Sequence, residues 1–299
     1  MTEPDRPDTH RFRHHGLLGT VIELQVSGSE PAAAGADAAA VAEIERLQAV
    51  FNARDPGSEL SRWAADPAAS AGPELAEVIE LAEWWRVRTG GTFDAAAGRW
   101  FRLWAEAEAT GIEPTAATLA GVAATLAEPG ARRRWYDLSA LAKGWIVDRA
   151  VTTAIAHTGV TGVTVNAGGD LAHTGVGSVR VGVENPHRPY DNAAPLDMVV
   201  IEDGAVATSG GARRWWRVGG RRYPQLVDPR TGRPVTAAAA TVLAPDAATA
   251  DALATALIVS STAEALDLVD GLDGVAALLV GAGGEVTVSA GWPGTLEPG

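Results

Sequence analysis

Asp251 and Thr255 lie four residues apart in the run ADALATAL, so on a helix they share one face, one turn apart. Ala250, Ala252 and Ala254 beside them are too small to shield them. A carboxylate and a hydroxyl on such a face can hold a hard cation such as magnesium through oxygen. The same pattern also describes a packing helix on which Asp251 is merely solvated. Before it, Thr241–Ala244 reads as a short strand, and Pro245 and Asp246 end that strand and can cap a helix running to Leu268.

More chemistry lies upstream. Lys143 sits one turn into a helix predicted over 139–156, with Ser139 as its cap. A helix N-terminus beside a lysine suits a phosphate, although Leu141, Ile146 and Val147 fit a routine amphipathic helix as well. Gly168-Gly169-Asp170 ends a strand over Val160–Asn166. Paired glycines permit positive φ and either a close ligand approach or a plain hairpin turn. Their spacing is not that of the dinucleotide fingerprint G-x-G-x-x-G. Ser209, in VATSGG, can bond a phosphate or cap a turn. Arg213, Arg214, Trp215, Trp216, Arg221 and Arg222 form the main basic and aromatic cluster. Tyr223–Val235 reads as a strand followed by a Pro–Gly reversal in which Asp228 suits an Asx turn.

DLSALAKGWIVD (137–148), VNAGGDL (165–171), ATSGG (207–211), LVDPRTGRPV (226–235) and ADALATAL (250–257) occur in this order. Together they resemble the ApbE family, the magnesium-dependent FAD:protein FMN transferases, and the resemblance runs from about Leu17 over nearly the whole chain. It implies FAD lying against Leu18, Trp63, Thr92, Phe93, Asp94, Asp137, Lys143, Gly168, Gly169, Asp170, Ser209 and Leu226. It implies Mg2+ held by Asp251, Thr255 and the backbone carbonyl of Ala140, whose side chain has no oxygen. The implied reaction moves FMN from FAD to a Thr or Ser hydroxyl of a target protein and releases AMP.

One departure bears on the chemistry. The family pattern His-x-x-Asp-Pro-x-Thr-Gly is matched at Asp228, Pro229, Thr231 and Gly232, but Gln225 stands in the histidine position. A glutamine orients a hydroxyl or water and takes no proton at neutral pH. Losing a general base typically costs on the order of a hundred- to ten-thousand-fold in rate. Gln225 and Asp228 are therefore the catalytic candidates, with Asp228 either a substitute base or the Asx residue of its turn. Three activities follow: FMN transfer, FAD binding with weak or no transfer, and FAD pyrophosphatase action. Trp63 either stacks on the ligand, which would hinder a hydrolytic water, or fills a core gap.

The elements that must position these groups follow from pattern. The 299 residues, 46% hydrophobic and 20% charged, have an ordinary soluble composition and fit one large domain or two interleaved lobes. A formal charge of -13 argues against nonspecific nucleic-acid or anionic-membrane partners. The absence of cysteine excludes disulfides, thiolate metal sites and a lipid-modified cysteine. With no apolar leader and no membrane span, a cytoplasmic location is expected. Residues 1–15, with His10, His14 and His15, read as a flexible tail ahead of a single domain over 16–299. Helices are predicted over 32–51, 73–89, 139–156 and 247–268, and a helical insertion over 110–134 ends in a solvated Arg132–Arg134 run. Strands are predicted over Leu17–Val26, Val160–Asn166, Val179–Glu184, Met198–Ile201 and, in two pieces, Val275–Ser289. The apolar run 253–259 needs cover on most sides. The fold class is α+β: an ApbE-like, T-fold-like, two-lobed domain of mostly antiparallel sheets packed by helices, with a ligand cleft.

Overall fold

A computed structural model describes residues 8–188, 193–211 and 214–296; the expected N-terminal tail over 1–7, Pro189 and Arg213 lie outside them. Thr9–Leu17 (β1) and Thr20–Gly28 (β2) form an antiparallel hairpin. Its turn residues Leu18 and Gly19 have φ of 50° and 70°, as a type I′ turn demands. Leucine is strained there, and a bond from its N–H to Gln48 Oε1 at 2.6 Å holds the tip. Two expectations are corrected. The tail is a strand from Thr9 onward, with His14 bonded to Asp37 at 2.8 Å, and the strand expected from Leu17 begins at Thr20.

Helices follow as a block: α1 (Glu30–Phe51), α2 (Glu59–Ala65), α3 (Pro73–Arg88), a 3₁₀ turn (Ala95–Ala97), α4 (Gly98–Thr110), α5 (Ala116–Ala127) and α6 (Ser139–Ile155). Ser58 caps α2 through Ser61 N, and Asp94 caps the 3₁₀ turn through Ala96 N. Ser139 is not the cap of α6. Leu138 occupies that position, and Asp137 Oδ1 accepts the Ser139 N–H at 3.0 Å instead. Of the arginine run, Arg134 is exposed as expected, but Arg132 and Arg133 are not solvated surface. Arg132 pairs with Asp94 at 2.5 Å, and Arg133 donates to the carbonyls of Trp63, Asp66, Pro67 and Ala69.

The rest of the chain is mainly strand: β3 (Val160–Ala167), β4 (Asp170–Gly175), β5 (Val179–Val183), β6 (Asp197–Ile201), β7 (Gly204–Gly210), β8 (Trp215–Val218), β9 (Arg221–Pro224), β10 (Val227–Asp228), β11 (Arg233–Pro234) and β12 (Ala239–Ala244). Then come α7 (Ala247–Val259), α8 (Thr262–Asp270), β13 (Ala276–Val280) and β14 (Val286–Val288). The single helix expected to reach Leu268 is two. Ser261 and Glu264 form a capping box that starts α8 afresh, and Ser260 is extended.

One eight-stranded sheet runs β1-β2-β3-β4-β7-β12-β13-β14, and β5–β6, β8–β9 and β10–β11 are separate pairs. Every pairing is antiparallel. Alternation along a strand decides what each face meets. In β12, Ala240 and Val242 join the core under the helices, whereas Ala239 and Leu243 pack on the opposite face with residues of β5 and β6. α7 lies between the sheet and α6, so all of it is buried but Thr249 and Thr255. This is the cover that the run 253–259 needs. The mixed helix and antiparallel sheet architecture expected from the sequence is the one present.

Candidate functional site

Two chain reversals and the end of β7 meet at one end of the sheet. Gly168 and Gly169 turn β3 into β4 at φ of 63° and 109°. A Cβ on Gly168 would stand 2.3 Å from Thr20 Oγ1, so the Leu18–Gly19 tip and this turn pack side by side only because position 168 is glycine. Leu171 pairs with Val206, which carries Ser209, three residues on, to the same end.

The crossing of α6 and α7 brings the charged groups there. A Cβ at Gly144 would lie 2.1 Å from the Ala247 carbonyl oxygen, so glycine permits this approach. Asp148 accepts N–H bonds from Ala247 and Ala248 at 2.8 and 2.9 Å and fixes the start of α7, while burial pushes its carboxyl up to about 6. One turn along α7, Asp251 Oδ2 accepts the Gly144 N–H at 3.1 Å. Lys143 forms an ion pair with Asp170, whose carboxyl is near enough to that of Asp251 for the two to act on one another. Asp170 and Asp251 are only 1% and 5% exposed. Burial raises both carboxyls, and their mutual repulsion adds to the rise at Asp251. Burial acts against the Lys143 ammonium, but Asp251 and Asp170 outweigh it and hold the proton on.

Thr255, on the same face of α7 as Asp251, lies 3.1 Å from Ser209 across to β7. The sequence-predicted residues Lys143, Asp170, Asp251, Thr255 and Ser209 thus form one group, with Ala140 a turn before Gly144 on α6. Two buried carboxylates face a single ammonium, which leaves negative charge that a cation can offset. The donors fit a hard cation: the Asp251 carboxylate, the Thr255 hydroxyl and the Ala140 carbonyl. In a regular helix the Gly144 N–H serves that carbonyl; here it also reaches Asp251. No group of three or more His, Cys, Asp or Glu residues among the described residues is placed to hold a metal, so such a cation also needs oxygens from a ligand or water.

The predicted residues between 63 and 137 lie on α2, beside the 3₁₀ turn and in the loops around them. The Trp63 ring stacks against Arg133, whose guanidinium carbon is 4.1 Å from its centroid, and meets Tyr136 at 5.7 Å. Asp94 is occupied by its cap and by Arg132. Thr92 and Phe93 do not offer side chains to a ligand. Thr92 Oγ1 donates to the Thr89 carbonyl, and Phe93 is 2% exposed within the core. Asp137 is exposed, with its N–H on the Ala95 carbonyl at 2.7 Å.

Asp228 is the Asx residue of its turn: Oδ1 accepts the Arg230 N–H at 2.9 Å, and the Arg230 side chain grips the carboxylate at 3.0 and 3.1 Å. Of the two roles expected for Asp228, the Asx residue is the one its contacts show. Gln225 donates its backbone N–H to the Arg214 carbonyl at 2.9 Å, and the Leu226 carbonyl accepts from Val235. Trp100 and Trp104, one turn apart on α4, donate to the Pro229 and Gly232 carbonyls at 3.0 and 2.8 Å and clamp this turn. A Cβ at Gly232 would strike the Trp100 ring at 2.4 Å.

The match to known proteins is extensive. The model of the ApbE family matches residues 18–288. The chain belongs to the ApbE family. An FAD:protein FMN transferase of Treponema pallidum is 28% identical over 92% of this chain and 85% of its own length. One of Vibrio cholerae is 35% identical, but that match spans only 42% of this chain and 38% of that protein. The crystal structure of the ApbE protein from Thermotoga maritima superposes with a TM-score of 0.79 at 26% identity, covering 95% of this chain and 97% of that one. No helix among the described residues of this ApbE-family chain is long and apolar enough to cross a membrane.

Several positioning groups have little sequence signal. Asp148 and Gly144 lie inside the motif 137–148 but show their role only where α7 arrives. The Trp100–Trp104 spacing marks a helical face without saying what it holds. Arg214 is close enough to Lys143 for its charge to act on it, which nothing local in the sequence reveals.

Proposed function

We propose that this chain is a magnesium-dependent FAD:protein FMN transferase. The observation that carries the reading is the buried group Lys143–Asp170–Asp251, with Thr255 and Ser209 beside it, in a chain of this family. Asp251, Thr255 and the Ala140 carbonyl hold the cation, and Lys143 and Ser209 hold the FAD pyrophosphate. Bound there, magnesium supplies neutralisation of the pyrophosphate charge. Leu18, Gly168, Gly169, Trp63 and Leu226 border the flavin. Thr92, Phe93 and Asp94 support that wall from behind, and Asp137 lies at its rim. The acceptor Thr or Ser oxygen bonds to the FMN-side phosphorus. The bond to AMP breaks, its electrons leave with the AMP phosphate, and the hydroxyl proton passes to solvent. Positioning and electrostatics do most of such work. The expected partners are FAD and a flavin-accepting protein, and the expected location is the cytoplasm.

A second reading, tight FAD binding with slow transfer, is favoured by one feature: Gln225 has no basic nitrogen, and Arg230 occupies Asp228. One experiment separates the two. Purified protein is given FAD, magnesium and a flavinylation-domain substrate, and in-gel flavin fluorescence and AMP are read. Covalent fluorescence that is lost in Asp251→Ala supports the transferase. FAD binding with no label and no AMP sinks it, and a gain of labelling in Gln225→His then identifies the missing base.

A further inference from the structure

We infer that the outer face of the β8–β9 hairpin docks an acidic segment of the flavin-accepting protein; this rests on the transferase reading. The register sets Arg217 directly opposite Arg222. Like charges opposite one another destabilise a strand pair. The inner face of the hairpin is matched: Trp216 and Val218 are buried, at 3% and 1% exposure, and Arg221 and Tyr223 both reach Glu113, at 3.9 and 2.8 Å. The two arginines of the outer face are not. Among the described residues no carboxylate pairs with the Arg217 or Arg222 guanidinium, and Glu108 beside them is taken by the Arg217 backbone N–H at 2.7 Å. Trp215, on the same face, is 39% exposed.

A self-repelling arginine pair is an anomaly in a chain of charge -13, where opposite charges were plentiful. Its surroundings supply a use. Gln225 follows β9 directly and binds the Arg214 carbonyl at 2.9 Å, and the Arg214 charge acts on Lys143. The hairpin therefore leads directly into Gln225, the residue in the histidine position of the family pattern. An acidic polypeptide would be repelled by most of this surface and drawn to this part of it, which steers its hydroxyl toward the site. Carboxylates complete the arginine pair, and an exposed tryptophan offers the flat apolar contact common at interface anchors.

The test is Arg222→Glu in the full chain, with FAD, magnesium and a flavinylation-domain acceptor. The acceptor KM should rise about tenfold at low salt and lose its salt dependence. The KM for FAD should stay unchanged. Because a like-charge pair becomes an opposite-charge pair, the Tm should hold or rise, which a merely structural arginine would not allow. Arg222→Gln should fall between the two in acceptor KM. An acceptor KM unmoved in both variants overturns the docking surface while leaving the transferase intact. A rise in the FAD KM alone overturns it by assigning the arginines to FAD phosphates. A wild-type protein that binds FAD and labels no acceptor overturns the transferase reading and this inference with it.

Discussion

Replacing Gly144 by alanine tests the contact on which the candidate site depends. The added Cβ would stand 2.1 Å from the Ala247 oxygen, 2.5 Å from its carbon and 2.9 Å from Ala248 N. All three are backbone atoms, so no side-chain rotation relieves the clash, and α6 and α7 must part by about an ångström. That movement breaks the Gly144–Asp251 bond of 3.1 Å and stretches the two Asp148 bonds that start α7. Overpacking costs about 1–3 kcal/mol. A lost bond to a charged group costs about 1.5–3 kcal/mol. Alanine returns about 1 kcal/mol as the better helix former. The net is a loss of roughly 3 kcal/mol, which for 299 residues lowers Tm by roughly 5 °C. Thermal unfolding reads this directly, and flavin transfer should fall as Asp251 is displaced. Gly121, on α5, is the internal control: a Cβ there meets nothing within 4 Å, so Gly121→Ala should hold or raise Tm. If Gly144→Ala behaves like Gly121→Ala, the reasoning about this helix crossing is refuted.

Two more outcomes follow from single sites. Trp100→Ala removes a side chain only 2% exposed and should cost about 3–5 kcal/mol in urea unfolding, whereas Trp100→Phe, which mainly loses the bond to Pro229, should cost only about 1 kcal/mol. Asp197 ties β6 to Trp292 and Thr295; burial acts to raise its carboxyl, but the donors of Trp292, Thr295 and Met198 outweigh it and hold it well below the ordinary range. Its folded value lies below its unfolded one, so its stabilisation is present above the unfolded pKa of about 3.9 and is lost as pH falls below that. The stability advantage of the wild type over Asp197→Asn should therefore shrink between pH 5 and pH 3, as followed by thermal unfolding.

Much of the architecture was legible because its causes are local. The alternation of β3 and β5 and the short apolar runs of β6, β12 and β13 mark strands wherever the chain folds. Ser58, Asp94 and Asp246 cap as their positions suggest, since a cap needs only the next three residues. The Ser261–Glu264 box that divides α7 from α8 is equally local, and the alanine-rich run on both sides masks it. Where tertiary contacts decide, expectation failed. A polar N-terminal stretch became β1 because β2 offered it an edge, and Arg132 and Arg133 were drawn inward by Asp94 and by carbonyls around Trp63.

The sequence by itself determined the family, the α+β class and the side chains available for chemistry. Motif order, hydrophobic period and the one face shared by Asp251 and Thr255 are properties of the chain alone. The tertiary structure decided which of those side chains act together. Lys143, Asp170 and Asp251 come from three separate segments, and only the Gly144 crossing and the Gly168–Gly169 turn bring them into contact. It also decided that Asp228 is spent on Arg230, that Phe93 belongs to the core, and that Arg217 and Arg222 face one another. Burial and pairing depend on what arrives from elsewhere in the chain, and no local spacing encodes that arrival.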